Sequence, residues 1–285
     1  MQEIAPNIFI EQNSLGMVTG IIRSDSSTTL IDYPFRQDEL KSWRGATSRM
    51  VSGDARYLIM LDTHYDRLLS SKGSDCTIIA HANTVMPGRL KVTNVKGQDE
   101  QMIQTESYDP TGNVARLLPP EITFADRMNL YLGEYEIQLQ HRPGANYAAI
   151  WVEIPQQKIV FVGDSVMVDQ PPYLAFSNPA IWVDEMALLA GKDYRGYQIV
   201  STRDGIVSQE NVRDWGKVIS FIHETFDDLL RKEADLEEWM LEIPKIMRFF
   251  NPLMREDERY YNRLRWGIKT WYEQVIKTMA EVENE

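Results

Sequence analysis

The chain is poor in cysteine and histidine and has no long apolar run. Its 285 residues include one cysteine, Cys76, and four histidines. A single cysteine excludes an intramolecular disulfide framework and a cysteine-rich zinc site, and it is typical of a reducing cytosol. No apolar stretch is long enough to span a bilayer, and residues 1–20 lack the basic and apolar regions of an export signal. We therefore expect a cytoplasmic protein that does not enter a membrane.

Basic residues are also fewer than acidic residues. The chain has 30 lysines and arginines against 42 aspartates and glutamates, which gives a formal net charge of -12. Because nucleic acids and anionic membranes repel an acidic surface, we expect neither as a partner. The hydrophobic content of 43% is enough for a sizeable core, in one large α/β domain or two smaller ones.

The pattern of the chain changes near residue 207. Before it, short apolar runs alternate with turns, and after it the chain is charged, aromatic and helical in its spacing, with Ser208 as a helix cap. We predict an α/β domain over 1–207 and C-terminal helices over 208–285 packed on it. The polar, unpatterned stretch 94–120 is predicted to be a long loop. Ten short strands are predicted in the first part: Ile8–Glu11, Met17–Ile22, Ser27–Ile31, Tyr57–Leu61, Thr77–Ala80, Arg89–Thr93, Tyr135–Leu139, Ala148–Glu153, Lys158–Val162 and Tyr197–Ser201.

One segment carries a cluster of side chains suited to chemistry. The apolar strand Tyr57–Leu61 runs directly into Asp62–Arg67, whose sequence is Asp-Thr-His-Tyr-Asp-Arg. Side chains two apart on an extended segment point to the same side, and strand ends commonly build sites. Further motifs follow in order: Gln140-His141-Arg142-Pro143-Gly144, the apolar strand Ala148–Glu153, the run Ile159–Asp164, and Tyr197-Gln198-Ile199-Val200 before Ser201-Thr202-Arg203-Asp204-Gly205.

This order of motifs resembles the metallo-β-lactamase superfamily, over most of the chain from about Ile8 to Val207. The resemblance implies an α/β fold, an αββα sandwich of the metallo-β-lactamase type with an added C-terminal helical segment. In that family a histidine before a Pro-Gly turn and an aspartate after an apolar strand and a glycine are metal ligands. His141 and Asp164 match those places, and Asp204 stands where the family has its last histidine.

The first motif departs from the family pattern. That pattern is His-x-His-x-Asp-His, and this chain has Asp62, His64, Asp66 and Arg67 at the four ligand places. A histidine-rich dinuclear centre of the usual kind cannot be assembled. The remaining histidines, His81 and His223, lie outside the matched motifs and are predicted to be structural.

A single divalent ion fits the altered motif best, with zinc, iron or manganese as candidates, since carboxylate and imidazole suit all three. We expect a metal-dependent hydrolase acting on a small-molecule substrate that the sequence does not identify. Asp66 would orient a metal-activated water, and Arg67 would replace the second metal and hold the developing oxyanion. The candidate ligands are Asp62, His64, Asp66, His141, Asp164 and Asp204.

Two other functions remain open. In the first, Arg67 and the carboxylates form an ion-pair network without metal, and the chain is a catalytically inactive binding or scaffold protein. In the second, His64, His141 and Asp164 hold a mononuclear iron for oxygen chemistry. The aromatic C-terminal helices, with Trp266 and Trp271, are predicted to pack within the chain, and a homo-oligomer through these helices is left open.

Overall fold

Two β-sheets lie face to face between outer helices. A computed structural model describes residues 1–12, 17–25, 27–34, 37–48, 55–70, 75–85 and 118–282. The first sheet contains β1 (Gln2–Ala5), β2 (Ile8–Gln12), β3 (Val18–Arg23), β4 (Thr28–Ile31), β5 (Ala55–Ile59), β6 (Thr77–His81) and β7 (Ile122–Phe124). The second contains β8 (Arg127–Leu132), β9 (Tyr135–His141), β10 (Ile150–Ile154), β11 (Ile159–Gly163), β12 (Gln198–Ser201) and β13 (Gly205–Val207).

The helices cover the outer faces of the two sheets and form the C-terminal part of the chain. They are α1 (Gln37–Ser48), α2 (Tyr65–Ser70), α3 (Pro179–Leu189), α4 (Gln209–Arg231), α5 (Leu236–Met240), α6 (Ile243–Met247), α7 (Pro252–Glu256) and α8 (Glu258–Val282). No described helix has an apolar stretch long enough to cross a membrane.

The strand directions bring several strand ends to one edge of the sandwich. In the first sheet β1 to β4 are antiparallel and β4 to β7 are parallel, while in the second only β11 and β12 are parallel. The sheets meet where Ile150 donates its backbone N–H to Leu61 O at 2.8 Å, just after β5. The loops that follow β5, β11 and β12 therefore approach one another.

The core between the sheets consists of side chains that alternate along each strand. Ile22, Ile59 and Ile79 of the first sheet face Leu139 and Phe161 of the second, and all five are almost completely buried. Period-two alternation of this kind is what a strand with one face in a core requires.

The outer faces bury a second set of apolar side chains under helices. Leu30 and Leu58 of the first sheet pack under Trp43 of α1. Trp151 and Val160 of the second sheet pack under α3 and α4 in the largest apolar cluster. The layers are thus helix, sheet, sheet, helix, which confirms the predicted αββα sandwich.

The C-terminal helices begin at the predicted cap. Ser208 accepts from Asn211 N, and Asn211 accepts in return from Ser208 N, a capping box that satisfies two backbone donors. The buried side of α4 continues with Trp215, Ile219 and Phe226. The aromatic side chains of α8 face the same way, since Trp271 lies 4.9 Å from Phe226 between ring centroids. Their packing is intramolecular.

Sequence and structure differ in a few elements. The spacing of Leu40, Trp43 and Met50 predicts a surface helix over residues 37–51, and the structure describes α1 over Gln37–Ser48. The helix α3 was not predicted, because its apolar residues surround the whole helix instead of forming one stripe. The predicted strand Arg89–Thr93 and the predicted loop 94–120, apart from residues 118–120, lie outside the described residues.

Gly20 tests how closely the two sheets pack. A Cβ atom at Gly20 would lie 2.7 Å from Phe161 Cε1 and 3.1 Å from Ile31 Cβ, whereas one at Gly45 of α1 would meet nothing within 4 Å. We expect Gly20→Ala to lower the free energy of unfolding by about 1–3 kcal/mol through overpacking. Gly45→Ala, the matched control, is expected to be neutral or to stabilise by up to about 1 kcal/mol. Urea unfolding of both variants measures the difference, and equal effects would contradict the packing described.

Candidate functional site

Three loops at one edge of the sandwich bring the candidate residues together. The loop after β5 carries Asp62 and His64 and leads into α2 with Asp66 and Arg67. The turn after β11 carries Asp164, and Thr202 N donates to Gly163 O at 3.0 Å, which ties the loop after β12 to that turn. Gly163 has a φ of +61°, a left-handed conformation that glycine adopts without strain.

Arg67 lies at the centre of this site and has no exposed side-chain surface. Its Nε donates to Asp32 Oδ2 at 3.0 Å, and its Nη2 donates to Asp164 Oδ1 at 2.9 Å. Its Nη1 is shared between Asp66 Oδ1 and Asp164 Oδ2, each at 3.2 Å. The guanidinium group thus lies between three carboxylates from three different segments of the chain.

A second guanidinium group, that of Arg203, lies on the other side of the same carboxylates. Its Nε donates to Asp164 Oδ1 at 2.9 Å, and its Nη1 donates to Asp66 Oδ2 at 2.8 Å. Its Nη2 donates to Asp164 Oδ2 at 3.0 Å and lies 3.2 Å from His64 Nδ1. Both oxygens of Asp66 and of Asp164 therefore accept from arginine.

Sequence reasoning missed Arg203, although it named the adjacent Asp204. The resemblance aligned the segment Ser201–Gly205 with a ligand-bearing turn of the family, in which the carboxylate was the candidate ligand. The sequence did contain a signal for Arg203, because a buried site with several aspartates and few histidines needs nearby cations to balance its negative charge. An arginine next to a matched ligand place was the obvious source.

Asp62 and His64 complete the cluster. Asp62 Oδ1 accepts from His64 N at 2.7 Å and lies 3.3 Å from Arg67 Nε. The His64 ring contacts Asp66 Oδ1 through Nδ1 at 2.8 Å. Of the six residues predicted as ligands, the structure places Asp62, His64, Asp66 and Asp164 together.

His141 and Asp204, the other two predicted ligands, make contacts elsewhere. His141 stacks on His81 with ring centroids 3.6 Å apart, and its Nε2 lies 3.0 Å from Tyr147 O. Asp204 Oδ2 accepts from Val168 N at 2.9 Å, so this carboxylate closes a loop instead of pointing at the guanidinium groups. The order of motifs does not show where the side chains of these two residues bond.

The cluster is covered by Tyr173. Its ring lies 4.3 Å from the His64 ring and 5.4 Å from Arg203 Cζ, and Arg263 of α8 lies 4.0 Å from the ring centroid. Arg263 Nη1 also donates to Gln170 Oε1 at 2.8 Å. Cation–π contacts of this kind stabilise most where water is excluded. Through Tyr173, the C-terminal helix therefore packs against the side of the cluster that holds Arg203.

The carboxyl groups divide into two sets by pKa. Burial would raise the pKa of Asp66 and Asp164, but Arg203 and Arg67 together with His64 hold each pKa well below its usual value. Burial raises the pKa of Asp62 to about 6, since Arg67 offsets only part of the desolvation and Asp164 repels the charge. The pKa of Asp32 is also raised by burial.

The cluster contains more acidic than basic side chains. Four carboxylates face two guanidinium groups, a formal excess of two negative charges, and Asp62 and Asp32 are the two whose burial favours the neutral form. Asp66 and Asp164, whose pKa values are lowered, each accept from both Arg67 and Arg203. The two guanidinium groups thus supply positive charge at the carboxylates that were predicted to hold a divalent ion.

The donor set does not fit a metal ion of the kind expected from the family. The oxygens of Asp66 and Asp164 accept N–H bonds from two arginines, and a guanidinium group cannot deprotonate to become a ligand. His141 points to a backbone carbonyl. Over the part of the chain that the structure describes, no three His, Cys, Asp or Glu side chains converge in a way that could hold a metal.

Comparison with solved structures shows that the chain has the metallo-β-lactamase fold. A sec-alkylsulfatase from Pseudomonas sp. superposes with a TM-score of 0.70 at 14% identity, over 94% of this chain and 49% of its own, so this chain spans about half its length. A metallo-β-lactamase family protein from Thermus thermophilus superposes with a TM-score of 0.64 at 10% identity, over 95% of both chains. The metallo-β-lactamase FIM-1 from Pseudomonas aeruginosa, in its mono-zinc form, superposes with a TM-score of 0.56 at 13% identity, over 77% of this chain and 94% of its own. No protein-family model and no curated protein matches the sequence.

Removal of Arg67 tests how much the fold depends on the cluster. Arg67→Met keeps a long unbranched side chain but removes the guanidinium group, which leaves four buried carboxylates facing one cation. We therefore expect the free energy of unfolding to fall by roughly 3–5 kcal/mol. Arg231→Met breaks an exposed ion pair with Asp227 on α4 and is expected to have little or no effect. Thermal and urea unfolding compare the two variants, and an Arg67→Met protein as stable as the parent would show that the cluster is not structural.

The opposite pKa directions of Asp62 and Asp164 predict opposite pH dependences. The folded-state pKa of Asp62, about 6, exceeds its ordinary value of 3.8, so its contribution to stability is full below pH 3.8 and is lost as the pH rises through about 6. We expect Asp62→Asn to gain stability over the parent between pH 4 and pH 8, by up to roughly 3 kcal/mol.

The contribution of Asp164 to stability depends on pH in the opposite sense, because its folded-state pKa is lowered. Its contribution is present above its ordinary pKa of 3.8 and is lost as the pH falls below that value. Asp164→Asn is therefore expected to lose a nearly constant amount of stability between pH 4 and pH 8, and less only as the pH falls below 3.8. Urea unfolding from about pH 2 to pH 8 measures both variants, with the difference from the parent changing above pH 3.8 for Asp62→Asn and below pH 3.8 for Asp164→Asn. Parallel pH profiles would contradict the division of the carboxyl groups.

Proposed function

We propose that this chain is a metal-independent, non-hydrolytic binding protein on the metallo-β-lactamase fold, in which Arg67 and Arg203 replace the metal centre. The observation that carries the proposal is that both oxygens of Asp66 and both oxygens of Asp164 accept from these two guanidinium groups. The coordination sites that an ion would need are taken by N–H donors.

The groups considered for hydrolysis are poorly placed for that work. A general base needs a pKa near the working pH and access to water. Asp66 has a strongly lowered pKa and only 3% of its side chain exposed. Arg67 has no exposed surface, so it cannot reach a developing oxyanion on a substrate. The cluster has the features of a structural ion-pair network.

An oxygen-dependent iron enzyme is supported less well. That function needs two histidines and a carboxylate converging on open coordination positions. His64 contacts Asp66 and Arg203, whereas His141 stacks on His81 and faces Tyr147 O. The ion-pair network stabilises the fold, which is consistent with a role in binding. Such a role would depend on the surface of the protein and not on the cluster of Arg67 and Arg203.

Metal content tests the proposal directly. The protein is purified without chelator, incubated separately with Zn²⁺, Mn²⁺ and Fe²⁺, passed through a desalting column and measured by elemental analysis and thermal unfolding. We expect far less than one equivalent of any metal and no change in unfolding temperature. An ion bound at a hundred times its Kd would stabilise the fold by about 2.7 kcal/mol, which is easily measured.

Asp164→Asn is the matched control for adventitious metal. Ions on the acidic surface would bind equally to the parent and to this variant. One equivalent of metal in the parent that is lost in Asp164→Asn would overturn the proposal and restore a metal-dependent hydrolase as the leading function.

A further inference from the structure

The loop between β11 and α3 is bound by side chains of α8. Residues 170–177 of this loop include Pro171 and Pro172, which have no backbone N–H with which to close a turn. The carbonyl groups of such a segment need donors from elsewhere in the chain. Three side chains of α8 supply donors: Arg263 Nη1 donates to Pro171 O at 3.0 Å and to Gln170 Oε1 at 2.8 Å, Trp271 Nε1 to Ser177 O at 3.1 Å, and Gln274 Nε2 to Ala175 O at 3.1 Å.

Gly267 lets α8 lie directly against the backbone of this loop. A Cβ atom at Gly267 would lie 3.2 Å from both Leu174 N and Leu174 Cβ, and 3.5 Å from Ala175 N. The three donor side chains stand four residues before Gly267 and four and seven residues after it, which places them on the same side of the helix. That side of α8 is therefore fitted closely to loop 170–177.

Tyr173 lies in the middle of this loop and connects α8 with the ion-pair cluster. Its ring contacts Arg263 of α8, and it also contacts His64 and Arg203 of the cluster. The side chains of His64 and Arg203 are only 7% and 9% exposed. Holding the loop in place thus keeps Tyr173 against two polar side chains that have little contact with water.

The helix that holds the loop buries little apolar surface for its length. Of the described side chains of α8, which has 25 residues, Leu264 and Ile268 are the apolar ones that are almost completely buried. The 23 residues of α4 include seven buried ones, Trp215 and Phe226 among them. Elements with few buried apolar side chains open locally at a lower free energy than the whole fold. We therefore expect α8 to leave its place while both sheets stay folded.

We propose that α8 is a clasp that opens locally together with loop 170–177, and that its docking, through Tyr173, governs how far His64 and Arg203 are exposed to solvent. This proposal concerns the regulation of the cluster described above and rests on the proposed function. The two can fail separately, because the metal content of the protein does not depend on whether α8 opens.

Hydrogen exchange of the parent chain, followed by mass spectrometry at rising urea concentrations below the unfolding transition, tests whether α8 opens locally. We expect the amides of α8 to exchange roughly a hundredfold faster than those of β10 and β11, and with a weaker dependence on urea. If α8 and these strands share one rate and one urea dependence, α8 opens only when the whole chain unfolds, and the proposal is wrong.

Chemical modification of His64 tests what the clasp covers. Diethyl pyrocarbonate reacts with exposed imidazole groups, and peptide mapping assigns the products among the four histidines. Arg263→Met removes the ring contact with Tyr173 and two bonds to the loop, and Gly267→Val places a side chain against the backbone of Leu174. We expect each of these clasp variants to raise the modification rate of His64 roughly tenfold.

Arg265→Met and Lys269→Val are the matched controls, because both residues are more than half exposed on the same helix. They are expected to leave the His64 rate within about twofold of the parent. Circular dichroism establishes that each variant is folded, and the exchange measurement on the parent decides the matter if a clasp variant is not. An unchanged His64 rate in either folded clasp variant overturns the proposal, and so does a control that raises the rate equally.

A combined variant tests the role of Tyr173. Tyr173→Ala removes the side chain through which α8 is proposed to act, so it should raise the His64 rate by itself. Adding Arg263→Met to Tyr173→Ala should then have little further effect, because coupled residues do not act additively. A full additional tenfold rise would show that α8 covers His64 by another route, contrary to the proposal.

Discussion

The buried guanidinium group of Arg67 is the interaction on which the rest of the site depends. A cation with no exposed surface is tolerated in a protein interior only if carboxylates surround it and each N–H finds an acceptor. Here the acceptors follow the ends of three strands in both sheets, through Asp32, Asp66 and Asp164. The pairing therefore links the two sheets of the sandwich at the edge where their loops meet.

Arg203 extends the same arrangement towards the surface and towards the C-terminal helices. It binds Asp66 and Asp164 from the opposite side, and Tyr173 lies between it and Arg263 of α8. An ion would bind the carboxylates without regard to direction, whereas a planar guanidinium group binds them with fixed geometry and brings its own side chain with it. The proposed replacement would exchange a metal centre for a rigid connection between elements distant in sequence.

The proposed binding function would use the outer surface of the protein. The helical layer over the second sheet combines aromatic packing within the chain with an open groove between α3 and α4. Much of the aromatic content of the C-terminal helices is used for intramolecular packing, as with Trp271 against Phe226. Near the end of α8, Ile276 and Met279 stay partly exposed among charged side chains.

The αββα sandwich, most strand positions, the cap at Ser208 and the loops that carry the site could all be predicted from the amino-acid sequence, because they follow from local periodicity, turn chemistry and the order of motifs. That order also brought Asp62, His64, Asp66 and Asp164 to one place. The entry of Arg203 into the cluster, the stacking of His141 on His81 and the bond from Asp204 to a backbone amide became visible only in three dimensions. The direction of a side chain at a strand end depends on the charges and donors that other loops place around it, and no pattern within one segment contains that information.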